Sequence, residues 1–289
     1  MTKISDDLTI IVNSCDAYSD IWPLFFAAMN EYWPQRKYDL VLNTELISQV
    51  PSNDNNISIK NFKPINGNDS WGLRLRETLK SIDTEFVIAI YDDFILEDFV
   101  DEEELVALLC KMKSDNEISA VYLTKLGLKY KENNKLFGER GQSQNRYAQL
   151  ADGIDFRLNS APALWRTSDL LEYTGDYDNP WAWEVFGSYR TFSNGKKLYC
   201  PTVTEKDIYV YNYAKGGAIY RGRWVPDVVL DKNDKYSLNI DFENRGFSSE
   251  LEDEKRSLKW KLDFIFLGYK MVGLKVLVFI YRSIKGKLL

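Results

Sequence analysis

The stretch "FVIAIYDDFIL", residues 86–96, constrains the fold more than any other part of the chain. An apolar run closed by a tyrosine suits a strand buried on both faces, as strands of a parallel sheet are. Such a strand requires helices above and below it. It ends in two adjacent carboxylates, Asp92 and Asp93, at the point where the strand leaves the core. Neighbouring negative charges there are costly unless something offsets them.

The segments around it supply the partners such a strand needs. "LTIIVN" (8–13) reads as a strand, followed by the polar turn "SCDAYSD" and the amphipathic stretch "IWPLFFAAMNEYW". "YDLVLNTE" offers a second strand, and "ISIKNF" a short one set among loop-like residues 51–69. In "DSWGLRLRETLKSI", Asp69 or Ser70 can cap a helix whose Trp71, Leu75, Leu79 and Ile82 share one face. Arg74 and Arg76 lie off that face and are expected to meet solvent. Strands alternating with helices predict an α/β, Rossmann-like sheet, mixed but mainly parallel, with ligands at the carboxyl ends of its strands.

Further on come the acidic helix "DEEELVALLCKMK", the strand "ISAVYLTK", and a polar stretch over 127–155 that reads as a substrate-covering loop or hairpin. "APALWRTSDLLEYT" returns to a strand-to-helix pattern and leads into "NPWAWEVFGSYR". No internal repeat, GxGxxG or GxxxxGKS motif is present. Residues 1–225 form the expected catalytic domain, 226–254 an acidic linker or loop, and 255–289 a basic helical extension.

Composition narrows the chemistry. The chain has no histidine, which removes Ser-His and Cys-His catalysis and leaves carboxylates as general bases and metal ligands. Cys15, Cys110 and Cys200 are widely spaced and odd in number, so reduced thiols in a cytoplasmic protein are the simplest account. The N-terminal "MTKISDDLTI" has no long apolar segment of the secretory kind. The eight Trp and eighteen Tyr suit either a sugar-binding cleft or aromatic packing. From Lys255 onward nine basic residues face the single acid Asp263, although the whole chain carries a net charge of −6. The remaining body is therefore strongly acidic, and no nucleic-acid partner is expected.

Asp92 and Asp93 can hold a hard divalent cation such as Mg2+ or Mn2+, or can simply cap a solvated turn. Glu184, flanked by aromatics in "NPWAWEVFGS", suits a carboxylate whose proton affinity is tuned by partial burial, or a helical Glu on a solvated face. Asp152 and Asp155 in "ADGID" suit either a plain polar loop, the simpler reading, or ligands of an acceptor hydroxyl if 127–155 folds over the cleft. "KGGAIYRGRW" sets Lys215, Arg221 and Arg223 around a double glycine, suited to closing over a diphosphate or to an ordinary surface turn.

In order and spacing, "LTIIVNS", "DSWGLRLRETLKSIDTEFVIAIYDDFIL", "NSAPALWRTSDLLE" and "NPWAWEVFGS" together resemble the GT-A-fold glycosyltransferases that build bacterial capsule and lipopolysaccharide chains from nucleotide sugars. The resemblance covers roughly residues 8–225. It implies that the acidic motif, here "YDD" with Tyr91 where the family's first Asp often stands, binds Mn2+ or Mg2+ on the sugar-nucleotide diphosphate through Asp92 and Asp93. It also implies Glu184 as the general base of an inverting reaction. By the same resemblance, Asn13, Ser14, Cys15, Asn43 to Glu45 and Arg74 would surround the nucleotide, UDP by implication, and the acceptor would be a glycan or a polyprenyl-diphosphate-linked sugar.

The tail "KRSLKWKLDFIFLGYKMVGLKVLVFIYRSIKGKLL" is apolar enough to suggest a transmembrane helix. Lys270 and Lys275 within it would each cost roughly 2.5–3.5 kcal/mol at a bilayer centre. Helices lying on the inner face of the cell membrane are therefore expected, with a helix docked on the domain as the alternative. Two further readings stay open: a glycoside hydrolase using two of these carboxylates, and a non-catalytic glycan-binding or membrane scaffold protein.

Overall fold

The computed structural model describes residues 7–47, 57–61, 71–128, 130–135, 146–202, 206–248 and 256–285. The chain opens with β1 (Leu8–Asn13), α1 (Trp22–Tyr32), β2 (Asp39–Thr44), β3 (Ile57–Asn61), α2 (Trp71–Lys80) and β4 (Phe86–Tyr91). There follow α3 (Glu102–Ser114), β5 (Ile118–Tyr122), β6 (Tyr130–Lys135), β7 (Tyr147–Leu150), β8 (Ala163–Arg166), α4 (Thr167–Tyr173) and α5 (Pro180–Val185). β9 (Lys197–Pro201), β10 (Ile219–Tyr220), β11 (Arg223–Trp224), α6 (Pro226–Lys235), α7 (Leu258–Val272) and α8 (Val276–Ile284) complete it.

Nine strands form one sheet in the order β3-β2-β1-β4-β8-β5-β9-β7-β6. The pairs β3-β2, β2-β1, β1-β4 and β5-β9 are parallel, and only β8 and β7 run against the other strands of this sheet. The expected mixed, mainly parallel α/β sheet is present. Alternation along β1 explains why both faces are covered. Ile10 and Val12 enter one core with Phe25 of α1 and Leu108 of α3, while Ile11 enters the other with Leu75 of α2 and Leu170 of α4. α3 begins where Asp101 accepts the Glu104 N–H at 2.9 Å, and ends on Lys111 and Lys113, charges matched to the helix dipole at each end.

Residues read as an acidic linker contain α6, whose Val228 and Val229 are buried in the first core, with Leu238, Ile240 and Phe242 packed beside it. Val228 and Val229 are adjacent and flanked by charges, so the periodicity was too short to announce a helix. The 127–155 stretch contributes β6 and β7, which pair antiparallel at the sheet edge. A third apolar cluster joins α7 and α8 to α5: Phe264, Val276 and Phe279 pack on Ala182, Phe186 and Tyr189.

Candidate functional site

The chain runs from β1 outward to β2 and β3, then returns to place β4 on the other side of β1. The crevice outside the carboxyl ends of β1 and β4 is thus a topological switch point, where open α/β sheets bind ligands. Register aligns the strand ends, with Asn13 beside both Asn43 and Tyr91. The next residues, Ser14 after β1 and Asp92 after β4, stand over the crevice. The Ser14 N–H donates to the Asn43 carbonyl at 3.1 Å and the Asp92 N–H to the Asn13 carbonyl at 3.4 Å.

A cavity of about 490 Å³ opens there. Asn13, Ser14, Cys15, Asp92 and Asp93 line its strand side, and Trp71 and Arg74 of α2 its flank. Tyr18, Glu45, Ser160, Pro180 and Gly216 complete the rim. Trp71 stacks on Tyr91 with centroids 6.3 Å apart and meets Trp183 edge-on at 5.8 Å, giving the cavity an aromatic wall.

The two aspartates have different surroundings. Asp92 is 2% exposed, and its Oδ2 accepts from the Ser14 hydroxyl and, at 3.1 Å, from the Trp22 indole. Burial nevertheless pushes its carboxyl up to about 7. Asp93 is half-buried beside Gly217, and no cation pairs with it among the described residues. Burial first, then the Asp92 charge, raises its carboxyl well above the usual range. A Cβ on Gly217 would come within 2.9 Å of Asp93 Oδ2, and the residue sits at φ +146°, so the double glycine lets this loop close against the carboxylate.

Arg74 is buried, contrary to the solvent-facing position its helical spacing suggests. It donates to the Ser14 carbonyl at 3.0 Å and lies 3.6 Å from Glu45, while its Nε has no partner. Arg76 also turns inward, donating to the Leu171 carbonyl at 2.9 Å and pairing with Asp176 at 2.7 Å, which ties α2 to α4. Both depart from expectation because α2 packs on α4 and the strand ends as well as on the sheet, so more than one face is covered.

Glu184 is not on the cavity wall. Its Oε1 accepts the backbone N–H of Ser160 at 2.6 Å, and Ser160 is on the wall. Burial raises the Glu184 carboxyl, partly offset by its hydrogen bonds from Ser160. Asn43 sits behind Asn13 and donates to its side-chain oxygen at 3.3 Å. Burial, then the charges of Asp92 and Glu45, push the Cys15 thiol up to about 11, so it is no nucleophile at neutral pH.

Other sequence candidates fall elsewhere. Arg223 is exposed on β11 and is not on the cavity wall; the backbone of Gly216, rather than the flanking cations, reaches the cavity. Asp155 accepts from Tyr189 at 3.1 Å and from Arg282 at 2.6 Å, and Asp152 accepts the Ser193 N–H at 3.1 Å; neither lines the cavity. Trp22, Tyr18 and Ser160 were missed. Ser160 lies within "NSAPALW", so its segment was marked, but its role depends on contacts 24 and more residues away.

Fold and site define an α/β protein with a mixed aromatic and charged cleft at a sheet switch point. No family model and no curated protein matches the chain. Among solved structures it is similar to S. aureus TarS 1-349 in complex with UDP, at 15% identity, TM-score 0.46, over 97% of this chain and 88% of that one. It is also similar to CMP:2-keto-3-deoxy-manno-octonic acid synthetase complexed with CTP (13%, 0.40, 67% and 88%) and to an active-site mutant of LgtC (15%, 0.34, 55% and 57%). Likeness this remote carries no argument about chemistry.

Proposed function

We propose that the protein is a glycosyltransferase that moves a sugar from a nucleoside-diphosphate donor, UDP-linked, to a glycan or polyprenyl-diphosphate-linked acceptor in cell-surface polysaccharide synthesis. The observation that carries this reading is a separation of charge. The buried guanidinium of Arg74, whose Nε has no hydrogen-bond partner, and Asp93, which pairs with no cation among the described residues, share one cavity at the switch point. A ligand bearing both a pyrophosphate and a divalent cation satisfies both at once.

Among the described residues no three His, Cys, Asp or Glu side chains form a metal-binding cluster. That fits Mg2+ or Mn2+ of the substrate-bridging kind, which uses one or two carboxylates and takes its other ligands from phosphate and water. Asp93 would hold the ion, with the Asp92 oxygen that Ser14 and Trp22 leave free. When bound, it supplies neutralising charge to the departing diphosphate.

The residues of the chain divide the remaining work. Asn13, oriented by Asn43, and Glu45 recognise the nucleoside; Arg74 faces the phosphates. Trp71 and Tyr91 shape the apolar side of the donor site. The acceptor oxygen forms its bond to C1 as the C1–oxygen bond to the diphosphate breaks, and the acceptor proton passes through the Ser160 hydroxyl, on the cavity wall, to Glu184 behind it, giving inversion. Burial raises the Glu184 carboxyl and so favours its holding that proton, while the hydrogen bond from the Ser160 N–H fixes its place behind the wall.

Thermal shift with UDP, GDP and CDP, each with and without Mn2+, is the first test, followed by turnover of UDP-sugars. One nucleotide should stabilise the protein, and more so with metal. Asp93→Ala should remove the metal-dependent part, and Glu184→Gln should keep binding while lowering kcat by about 10²–10⁴. Indifference to every nucleotide, or glycan hydrolysis without one, would sink the proposal.

A further inference from the structure

Nine of the fifteen exposed large apolar residues among those described lie within 258–284. On α7 the apolar residues divide between two faces. Phe264 and Gly268 are buried against Phe186. Leu258, Leu262, Phe266 and Tyr269, spaced by four, four and three, form a stripe on the other side, between 52% and 80% exposed. On α8 the same division recurs: Val276 and Phe279 are buried, while Leu277, Tyr281 and Ile284 are 56–81% exposed.

The charges follow the division. Lys259, Lys261 and Lys270 are exposed beside the α7 stripe, and Lys270 lies 4.9 Å from the Phe266 ring. Lys275 and Arg282 turn inward instead, to the Tyr189 carbonyl at 3.0 Å and to Asp155 at 2.6 Å. They fasten the helices to the body and leave the outer face to apolar groups bordered by lysine. Asp263 is the only acid on α7 and α8.

By length and composition, Leu258–Ile284 could cross a bilayer, with mean hydropathy 1.8. Its geometry opposes that: Gly273 breaks the helix at φ 59°, and crossing would strip Phe264, Val276 and Phe279 from their packing on α5. A symmetric second copy would set the lysines against their own counterparts across the contact.

We infer that the outer face of α7 and α8 is a docking surface for an anionic phospholipid bilayer, with the apolar stripe entering the acyl boundary and Lys259, Lys261 and Lys270 meeting phosphate headgroups. Tyr269 and Tyr281 suit the depth where headgroups meet acyl chains. The inference does not depend on the sugar-transfer chemistry, since α5 separates these residues from the cavity.

The test is flotation of the full chain with phosphatidylcholine vesicles, with and without phosphatidylglycerol. The protein should float with the anionic vesicles and be released as salt rises. Leu262→Ser combined with Leu277→Ser should abolish flotation. Lys259→Gln and Lys270→Gln should each weaken it about fivefold, the effect of one basic residue at an anionic surface. These sites are exposed, so melting temperature and nucleotide binding should be unchanged and a misfolded variant would be recognised. Equal flotation with neutral vesicles, no flotation with either, or self-association abolished by the same serine substitutions would overturn the inference, the last assigning the face to a second copy.

Discussion

At the scale of single residues, adjacent aspartates have different surroundings. Both line the cavity, but Asp92 is held by Ser14 and Trp22, whereas Asp93 pairs with no cation among the described residues. Asp92 titrates at about 7 in the fold against an ordinary 3.8, so between those values the folded state holds a proton the unfolded state has released. Its contribution to stability is therefore present below pH 3.8 and is lost as pH rises through about 7. Asp92→Asn keeps an acceptor for Ser14 and removes the buried charge. In metal-free protein it should be more stable than the parent by about 2–4 kcal/mol at pH 8, with the gap closing toward pH 4. Urea unfolding at both values checks this, and a variant weaker at pH 8 refutes it. The paired carboxylates were legible because a doubly buried strand announces where it ends. Their difference was not, because the donors to Asp92 come from 78 and 70 residues away. Arg74 was misjudged for a related reason: helical spacing tells which residues share a face, but not that α2 closes a cavity with a second one.

Among elements, the central strands followed from continuous apolar runs buried on both faces, and α1 to α4 from apolar residues at helical spacing. α6 did not, having two buried residues beside many charges. In α7 amphipathicity was legible, but the two apolar faces were not separable from sequence, because both are rich in the same residue types. Gly268 distinguishes them. A Cβ there would lie 2.6 Å from ring atoms of Phe186, itself fully buried and in contact with Phe264 and Phe279. At an exposed helical site Gly→Ala stabilises by about 1 kcal/mol, whereas overpacking a fixed aromatic costs about 1–3 kcal/mol. Gly268→Ala should therefore lower stability by about 1 kcal/mol, measured by thermal or urea unfolding. A higher melting temperature would mean that α7 does not rest on Phe186.

Across the whole molecule, the cavity is built from two halves with different supports. Asn13, Arg74 and Asp93 depend on β1, α2 and β4, packed within the sheet's own cores. Ser160 and Glu184 depend on α5, which is braced from behind by α7 and α8. Nucleotide binding and turnover should then respond to different substitutions. If Arg74 faces the phosphates as proposed, Arg74→Ala removes a charged donor to them and should weaken UDP binding about 10- to 100-fold, the worth of a hydrogen bond to a charged group. Phe264→Leu touches nothing in the cavity but loosens the packing behind α5, and a shift approaching 1 Å at a catalytic group can cost about 100-fold in rate. It should leave the UDP dissociation constant within about twofold while reducing kcat at least about tenfold. Calorimetry with UDP and steady-state turnover on both variants separate the two effects. If Phe264→Leu weakened UDP binding as much as it slowed turnover, the halves would be one mechanical unit and Glu184 would owe its position to the sheet rather than to the C-terminal helices.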